Sequence, residues 1–217
     1  MSEACPEPPA TLPSPRSDEL LELESALTRV YRRGGGRMGL WPAFRHFGPL
    51  ATARFDPHPP PPGRRRRGVM YLAAKGATRH GRVVPGLETG IAEAFQDTRF
   101  IDRDTDEPWA AIWTSTRAVR VLDLDSHWTT RAGGNRALTS GPRDVSRQWA
   151  RAVYEQLEDL DGLAWRSSVL GVGRCVALWE RARDALPRSP DFNRALADPV
   201  MLPDLSKIAG RIGYGLL

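Results

Sequence analysis

A chain of 217 residues with 41% hydrophobic content can bury one sizeable core, which leaves room for one domain with tails rather than for several domains. Its 31 basic and 26 acidic side chains give a net charge of +5; every cation except Lys75 and Lys207 is arginine, whose fork suits phosphate and carboxylate ligands but equally makes a solvated, mildly basic surface. Two cysteines (Cys5, Cys175), the lack of an apolar run of the ~18 residues a membrane helix needs, and an acidic, proline-rich start argue against a disulfide framework, a thiolate metal site, a membrane span and a secretory leader, so the expected compartment is cytoplasmic.

Residues 1–17 hold Pro6, Pro8, Pro9, Pro13 and Pro15 with little to bury, and read as a disordered tail ahead of a single domain over 18–217. Ser17 is placed to cap a short helix with Asp18 and Glu19 in its first turn and Leu20, Leu23 and Leu27 on one face. Residues 27–32 can form a strand. Gly34, Gly36 and Gly39 match a dinucleotide-binding spacing literally, with Asp56 beyond. That motif needs a buried strand before it and a helix after it, however, and the preceding strand carries Arg29, Arg32 and Arg33, so a Gly-rich loop is the better reading. Residues 51–57 alternate enough for a strand ending at proline. Residues 58–67, H-P-P-P-P-G-R-R-R-R, read as an extended, unpacked loop insertion.

The apolar run 69–73, with Tyr71 at its middle, predicts a buried strand, and a polar connection follows. Leu87, Ile91, Ala94 and Phe95 then recur at i, i+4, i+7 and i+8 and predict a helix; at ~100° per residue Glu93 falls off its apolar stripe. Residues 110–116 and 118–125 predict two more strands, and Pro142 opens a helix whose buried face is Val145, Trp149, Ala152, Val153 and Leu157. Residues 163–170 predict a strand with Ser167 and Ser168 in its middle, and 175–179 a further apolar strand; 196–217 shows no firm pattern. Strands and helices without strict alternation favour an α+β fold, a single domain of mixed or antiparallel sheets with flanking helices.

His46, His58, His80 and His127 lack metal-ligand spacing, so no metal site is expected, and Ser167 lies on no nucleophile elbow. What remains is one polar group in each central segment: Arg54, Tyr71, Glu93 and Ser167. Each has an ordinary alternative, as a surface arginine, a core tyrosine, a solvated glutamate and a backbone-bonded strand serine.

In order, the segments R-F-D-P, G-V-M-Y-L-A, E-T-G-I-A-E-A-F, D-G-L-A-W-R-S-S and C-V-A-L-W resemble the RES domain family, whose pattern is an Arg-aromatic-Asn/Asp-Pro segment, a Gly-x-x-Tyr-Leu-Ala strand, an Ala-Leu-x-Glu helix and an Asp-Gly-x-x-Tyr-x-Ser strand. The early L-T-R-V-Y-R looks like the family's opening strand, with Arg29 as its arginine. The chain departs from the pattern in the 58–67 and 75–86 connections and in Trp165, where tyrosine is usual. The resemblance implies a fold like that of ADP-ribosyltransferase toxins and a toxin that degrades NAD+ by phosphorolysis or hydrolysis. It also implies no cofactor besides NAD+ as substrate, inorganic phosphate as a co-substrate, and an Xre-type antitoxin with which the chain would form an oligomer.

By that resemblance Arg29, Arg54, Tyr71 and Ser167 bind substrate, and Glu93, Arg54 and Ser167 carry the chemistry. An anionic Glu93 would stabilise an oxocarbenium-like ribose, Arg54 and secondarily Arg29 would grip the diphosphate, Tyr71 would present a flat face to nicotinamide, and Ser167 would bond the carboxamide or place the nucleophile. The alternatives are transfer of ADP-ribose to a macromolecule, or a non-enzymatic basic module acting through residues 64–67.

Overall fold

The computed structural model describes residues 4–37, 39–76, 78–79 and 82–217. In chain order the elements are β1 (Leu20–Leu23), β2 (Leu27–Arg32), β3 (Arg45–Gly48), β4 (Gly63–Ala74), the two-residue β5 (Thr78–Arg79) and β6 (Arg82–Val83), helix α1 (Gly86–Ala94), β7 (Phe100–Ile101), β8 (Pro108–Trp113) and β9 (Val119–Asp123). Then come helices α2 (His127–Arg131), α3 (Ala137–Ser140) and α4 (Arg143–Gln156), strands β10 (Gly162–Arg166), β11 (Arg174–Trp179) and β12 (Phe192–Ala195), helix α5 (Leu202–Ile212) and β13 (Gly215–Leu216). Nine strands form one curled mixed sheet in the order β1-β9-β10-β11-β4-β2-β8-β12, with β3 added beside β4. Only the β9–β10 pair in it is parallel. The fold is a single α+β domain.

β4 is the spine. Its apolar run is continuous rather than alternating because both faces of the sheet are covered. Val69 and Tyr71 point into one core with Cys175, Ala177, Trp179, Leu163 and Trp165, closed by Trp128 and Trp149 from the helices. Met70 and Leu72 point into the other with Leu27, Tyr31, Trp113, Val176 and Leu178. A third cluster packs α1 and α5 around Ile91, Ile101 and Leu205. Helix α1 lies close on β2 and β4 because two of its positions lack a side chain. A Cβ at Gly86 would come within 2.7 Å of Thr28 Oγ1, and one at Gly90 within 3.2 Å of Val30 Cγ2. One turn past Gly90, this approach sets the height of Glu93 over the sheet.

Four expectations are corrected. The proline-rich start is not a disordered tail over its described part. Cys5 and Leu12 are buried, Trp149 Nε1 donates to Pro6 O at 2.8 Å, Trp128 Nε1 donates to Pro13 O at 2.8 Å, and Gln156 Oε1 accepts from Leu12 N at 2.8 Å. Proline carbonyls satisfy buried indole N–H groups, and their fixed φ lowers the entropy lost on ordering. The helix expected after Ser17 is a single 3-10 turn (Ser17–Glu19) followed by β1, since pairing of Leu20–Leu23 along β9 overrides the local periodicity. Residues 51–57 form a loop, and the strand nearest them, β3, ends ahead of it at Gly48. Residues 63–67 belong to β4 rather than to an unpacked insertion: Phe47 faces Arg64 and Gly48 faces Gly63 across the ladder. The Tyr154 ring lies between the guanidinium groups of Arg67 and Arg181, at 4.6 and 4.2 Å.

Candidate active site

Glu93 and Ser167 meet. Ser167 does not sit inside a strand as expected; β10 ends at Arg166 and Ser167 opens the turn to β11. Its N–H bonds Gly173 O at 2.7 Å, and its Oγ accepts from Val169 N at 3.2 Å and Leu170 N at 3.1 Å while donating to Glu93 Oε1 at 2.5 Å. Gly173 makes this possible: a Cβ there would lie 2.3 Å from Thr89 Oγ1, so only glycine lets the turn come this close to α1. Thr89 and Glu93 are four apart and share a helix face. The buried serine hydroxyl has one proton and two lone pairs, and all three are used. Ser167 therefore has no hydrogen-bonding capacity left for a ligand in this arrangement. It orients the carboxylate and relays two backbone N–H dipoles toward it.

Arg54 reaches the same region from the 49–57 loop. Its Nη1 donates to Gly141 O at 2.6 Å and contacts Ser146 Oγ at 3.3 Å at the start of α4. Partial burial and the neighbouring charge of Arg143 lower its pKa, while Glu93 and Tyr71 act in the opposite direction, so a guanidinium and a carboxylate lie within electrostatic reach. The loop is held by Arg147, whose Nη1 donates to Ala51 O at 3.1 Å. Tyr71 comes from β4. Its hydroxyl is buried with no hydrogen-bond partner among the described residues, and burial, with Asp56 adding to it, pushes its pKa up. Its ring meets Trp165 edge-on at 6.4 Å, and Trp165 packs on Phe55 at 4.6 Å. The indole standing where tyrosine was expected thus joins the Arg54 loop to β4.

Arg29 is not brought to this cluster. It shares strand parity with Leu27 and Tyr31 and points to the opposite face of the sheet from α1. Its Nη1 donates to Leu40 O, Trp41 O and Ala43 O at 3.0, 2.6 and 2.8 Å, and burial lowers its pKa to about 10. A guanidinium nitrogen spent on three carbonyls behind the sheet fixes the 40–43 loop and does not grip a diphosphate beside Glu93.

Two groups near the site escaped sequence reasoning. Cys175 follows Ser167 by one turn on β11, and its thiol is pushed well up by burial first and by Glu93 second, so it stays neutral beside the carboxylate. Its signal is alternation along β11, which turns Cys175, Ala177 and Trp179 to the Tyr71 side. Arg143 begins α4 next to Arg54 and carries no sequence mark. Cavities of about 470 and 200 Å³ border α1 at its two ends, but neither is lined by Arg54, Tyr71, Glu93 or Ser167. The polar cluster, not cavity size, marks the candidate site, since these two cavities offer no acid and one cation each. No three metal-ligating side chains converge among the described residues, and His80 lies outside them. No described helix is long and apolar enough to cross a membrane.

Comparison with known proteins places the chain in a family and a fold. The family model described as "RES domain" matches residues 26–198. Among solved structures, the M. tuberculosis MbcT–MbcA toxin–antitoxin complex contains a chain with a similar fold, at a TM-score of 0.51 and 15% identity, the match covering 85% of this chain and 90% of that one. No curated protein matches.

Proposed function

The chain belongs to the RES domain family, and on that premise we propose that it is an enzyme that degrades NAD+ by breaking the nicotinamide–ribose bond, the toxin of a toxin–antitoxin pair. The observation that supports this most is the Glu93 carboxylate fixed by Ser167 at 2.5 Å within reach of Arg54. In the reaction the C1′–N bond breaks and its electron pair leaves with nicotinamide, which becomes neutral, so no general acid is needed. Positive charge develops on the ribose, and Glu93 beside it is the stabilising anion. Arg54 offers one guanidinium edge to the diphosphate, and Tyr71 an aromatic face to the nicotinamide ring. An oxygen of water, which then gives up a proton to solvent, or of inorganic phosphate bonds the same carbon, giving ADP-ribose or its 1″-phosphate. Ser167 acts on Glu93 rather than on substrate.

The similar fold solved as a toxin–antitoxin complex supports a protein antitoxin as partner, and the family resemblance makes it Xre-type. The purified chain with NAD+, with and without phosphate, should release nicotinamide, and mass spectrometry of the products names the acceptor. An ADP-ribosylated macromolecule instead of free ADP-ribose or its phosphate would replace this reading by transfer. No loss of NAD+ under any of these conditions would overturn it.

A further inference from the structure

A buried ionisable pair apart from Glu93 and Ser167 lies just beyond Arg54. Asp56 is 0% exposed and His58 1%. One carboxylate collects four donors: Arg45 Nη2 at 2.9 Å, Leu50 N at 2.8 Å, His58 N at 3.3 Å, and the His58 ring through Nδ1. The other ring nitrogen of His58, Nε2, lies 3.0 Å from Arg67 O. Both imidazole nitrogens thus face groups that can only accept. A neutral ring has one N–H and would turn a lone pair on one of these oxygens, whereas an imidazolium donates to both. On the Nδ1 side the contact with Asp56 Oδ1 is direct, with no water between the two groups.

We infer that Asp56 and His58 are positioning residues for Arg54, with His58 held as the imidazolium that ties the Arg54 loop to β4. The inference rests on the NAD+-degrading reading for its kinetic part only. The loop is gripped from two sides. Arg147 of α4 binds the carbonyls of Leu50, Ala51 and Ala53. Asp56 binds the loop's own Leu50 N–H, Arg45 on β3, and His58, which reaches Arg67 on β4. Phe55, fully buried, stands between Arg54 and Asp56, so a shift of the carboxylate moves Arg54 with it. The other ionisable groups around the pair are His46, whose Nδ1 shares Arg67 O at 3.1 Å, Tyr71, on which Asp56 acts, and Arg67, whose own guanidinium is turned to Pro57 O and Glu155. Asp56 is thus the one carboxylate shared by the two cations Arg45 and His58. Although burial opposes it, the His58 hydrogen bond and the Arg45 charge keep its carboxyl below the usual range.

The experiment has two arms. Proton–nitrogen correlation spectra of the whole wild-type chain at about pH 7 should show both His58 ring nitrogens protonated. The KM for NAD+ should then rise, with kcat within about twofold, over the pH range in which the spectra show His58 losing its second proton. His58→Gln, whose two N–H groups sit on one nitrogen and so cannot stand at both ring-nitrogen positions, and which does not titrate, should raise KM about tenfold and remove that pH dependence. A singly protonated His58 ring at about pH 7 overturns the inference even if the variant does not fold. A folded His58→Gln variant with wild-type KM and pH profile also overturns it. Wild-type protein that releases no nicotinamide overturns the NAD+ reading instead, and the spectra still decide the protonation of His58.

Discussion

Replacing Glu93 by glutamine exchanges one carboxylate oxygen for an amide and leaves the shape of the side chain. The retained Oε1 can still accept from Ser167 Oγ, now 2.5 Å away, and Glu93 is only partly buried, so the fold should be undisturbed and the melting temperature within about 2 °C of wild type. What is lost is a unit negative charge next to a developing positive one. At a separation of about 4 Å and an effective dielectric of about 20, that charge is worth about 4 kcal/mol, or roughly 10³ in rate. Removing a single preorganised electrostatic group typically costs about 10²–10³, so the two estimates agree. The loss should fall on kcat with KM nearly unchanged, because the cation exists only in the transition state. Ser167→Ala should cost less, about 10–100-fold, since it removes one hydrogen bond to a charged group, worth about 1.5–3 kcal/mol, and leaves the carboxylate in place. The assay is nicotinamide release followed by chromatography. Glu93→Gln turning over within tenfold of wild type, with an unchanged melting temperature, would refute the electrostatic assignment. A larger loss for Ser167→Ala than for Glu93→Gln would reverse the roles of the two residues.

Deleting residues 1–16 should lower the melting temperature by roughly 10 °C. The arm buries Cys5 and Leu12 and supplies acceptors to Trp128 and Trp149, together about 4 kcal/mol, and a domain of this size loses ~2–4 °C per kcal/mol; an unchanged melting curve would show that the arm adds nothing. The second expectation concerns acid. The Arg131 guanidinium, bonded to Glu19 at 2.5 Å, holds that carboxyl down at about 2 from an ordinary 4.5 although burial opposes the shift. Since the folded value is the lower one, the contribution to stability is complete above about pH 4.5 and disappears as pH falls toward 2. The difference in urea midpoint between wild type and Glu19→Gln should therefore shrink over that window, and a constant difference would remove Glu19 as its source.

Much of the fold was legible because its strongest signals are local. The run 69–73 and the i, i+4, i+7, i+8 stripe around Ile91 need no distant partner to be read, and both are where periodicity puts them. Failures cluster where a distant partner decides. Leu20, Leu21 and Leu23 suit a helix until β9 offers them a ladder. The prolines of residues 4–16 look unpackable until two indole N–H groups require acceptors. The four arginines of residues 64–67 look like a solvated knot until β3 pairs with them and Tyr154 lies against one of them. His58 was lost for the same reason, since a histidine ahead of a proline run carries no sign that its acceptors are Asp56 and a carbonyl nine residues on.

The site was legible to a different degree for each residue, and strand parity explains the difference. Tyr71, Cys175 and Trp165 alternate onto one face of the sheet, and α1 covers that face beside Thr28 and Val30. Arg29 is flanked by Thr28 and Val30, so whatever turns those two toward α1 turns Arg29 away. Parity alone, applied to residues 27–32, separates it from Glu93, whereas the order of motifs along the chain cannot, because order is blind to which face a side chain takes. The same reasoning gives the two glycines at 90 and 173 their place. Neither bears chemistry, yet Gly90 sets how near α1 lies to β2, and Gly173 how near the β10–β11 turn lies to α1. The 2.5 Å contact between Ser167 and Glu93 is the product of both approaches. The position of the Glu93 carboxylate depends on two missing methyl groups as much as on the serine that holds it.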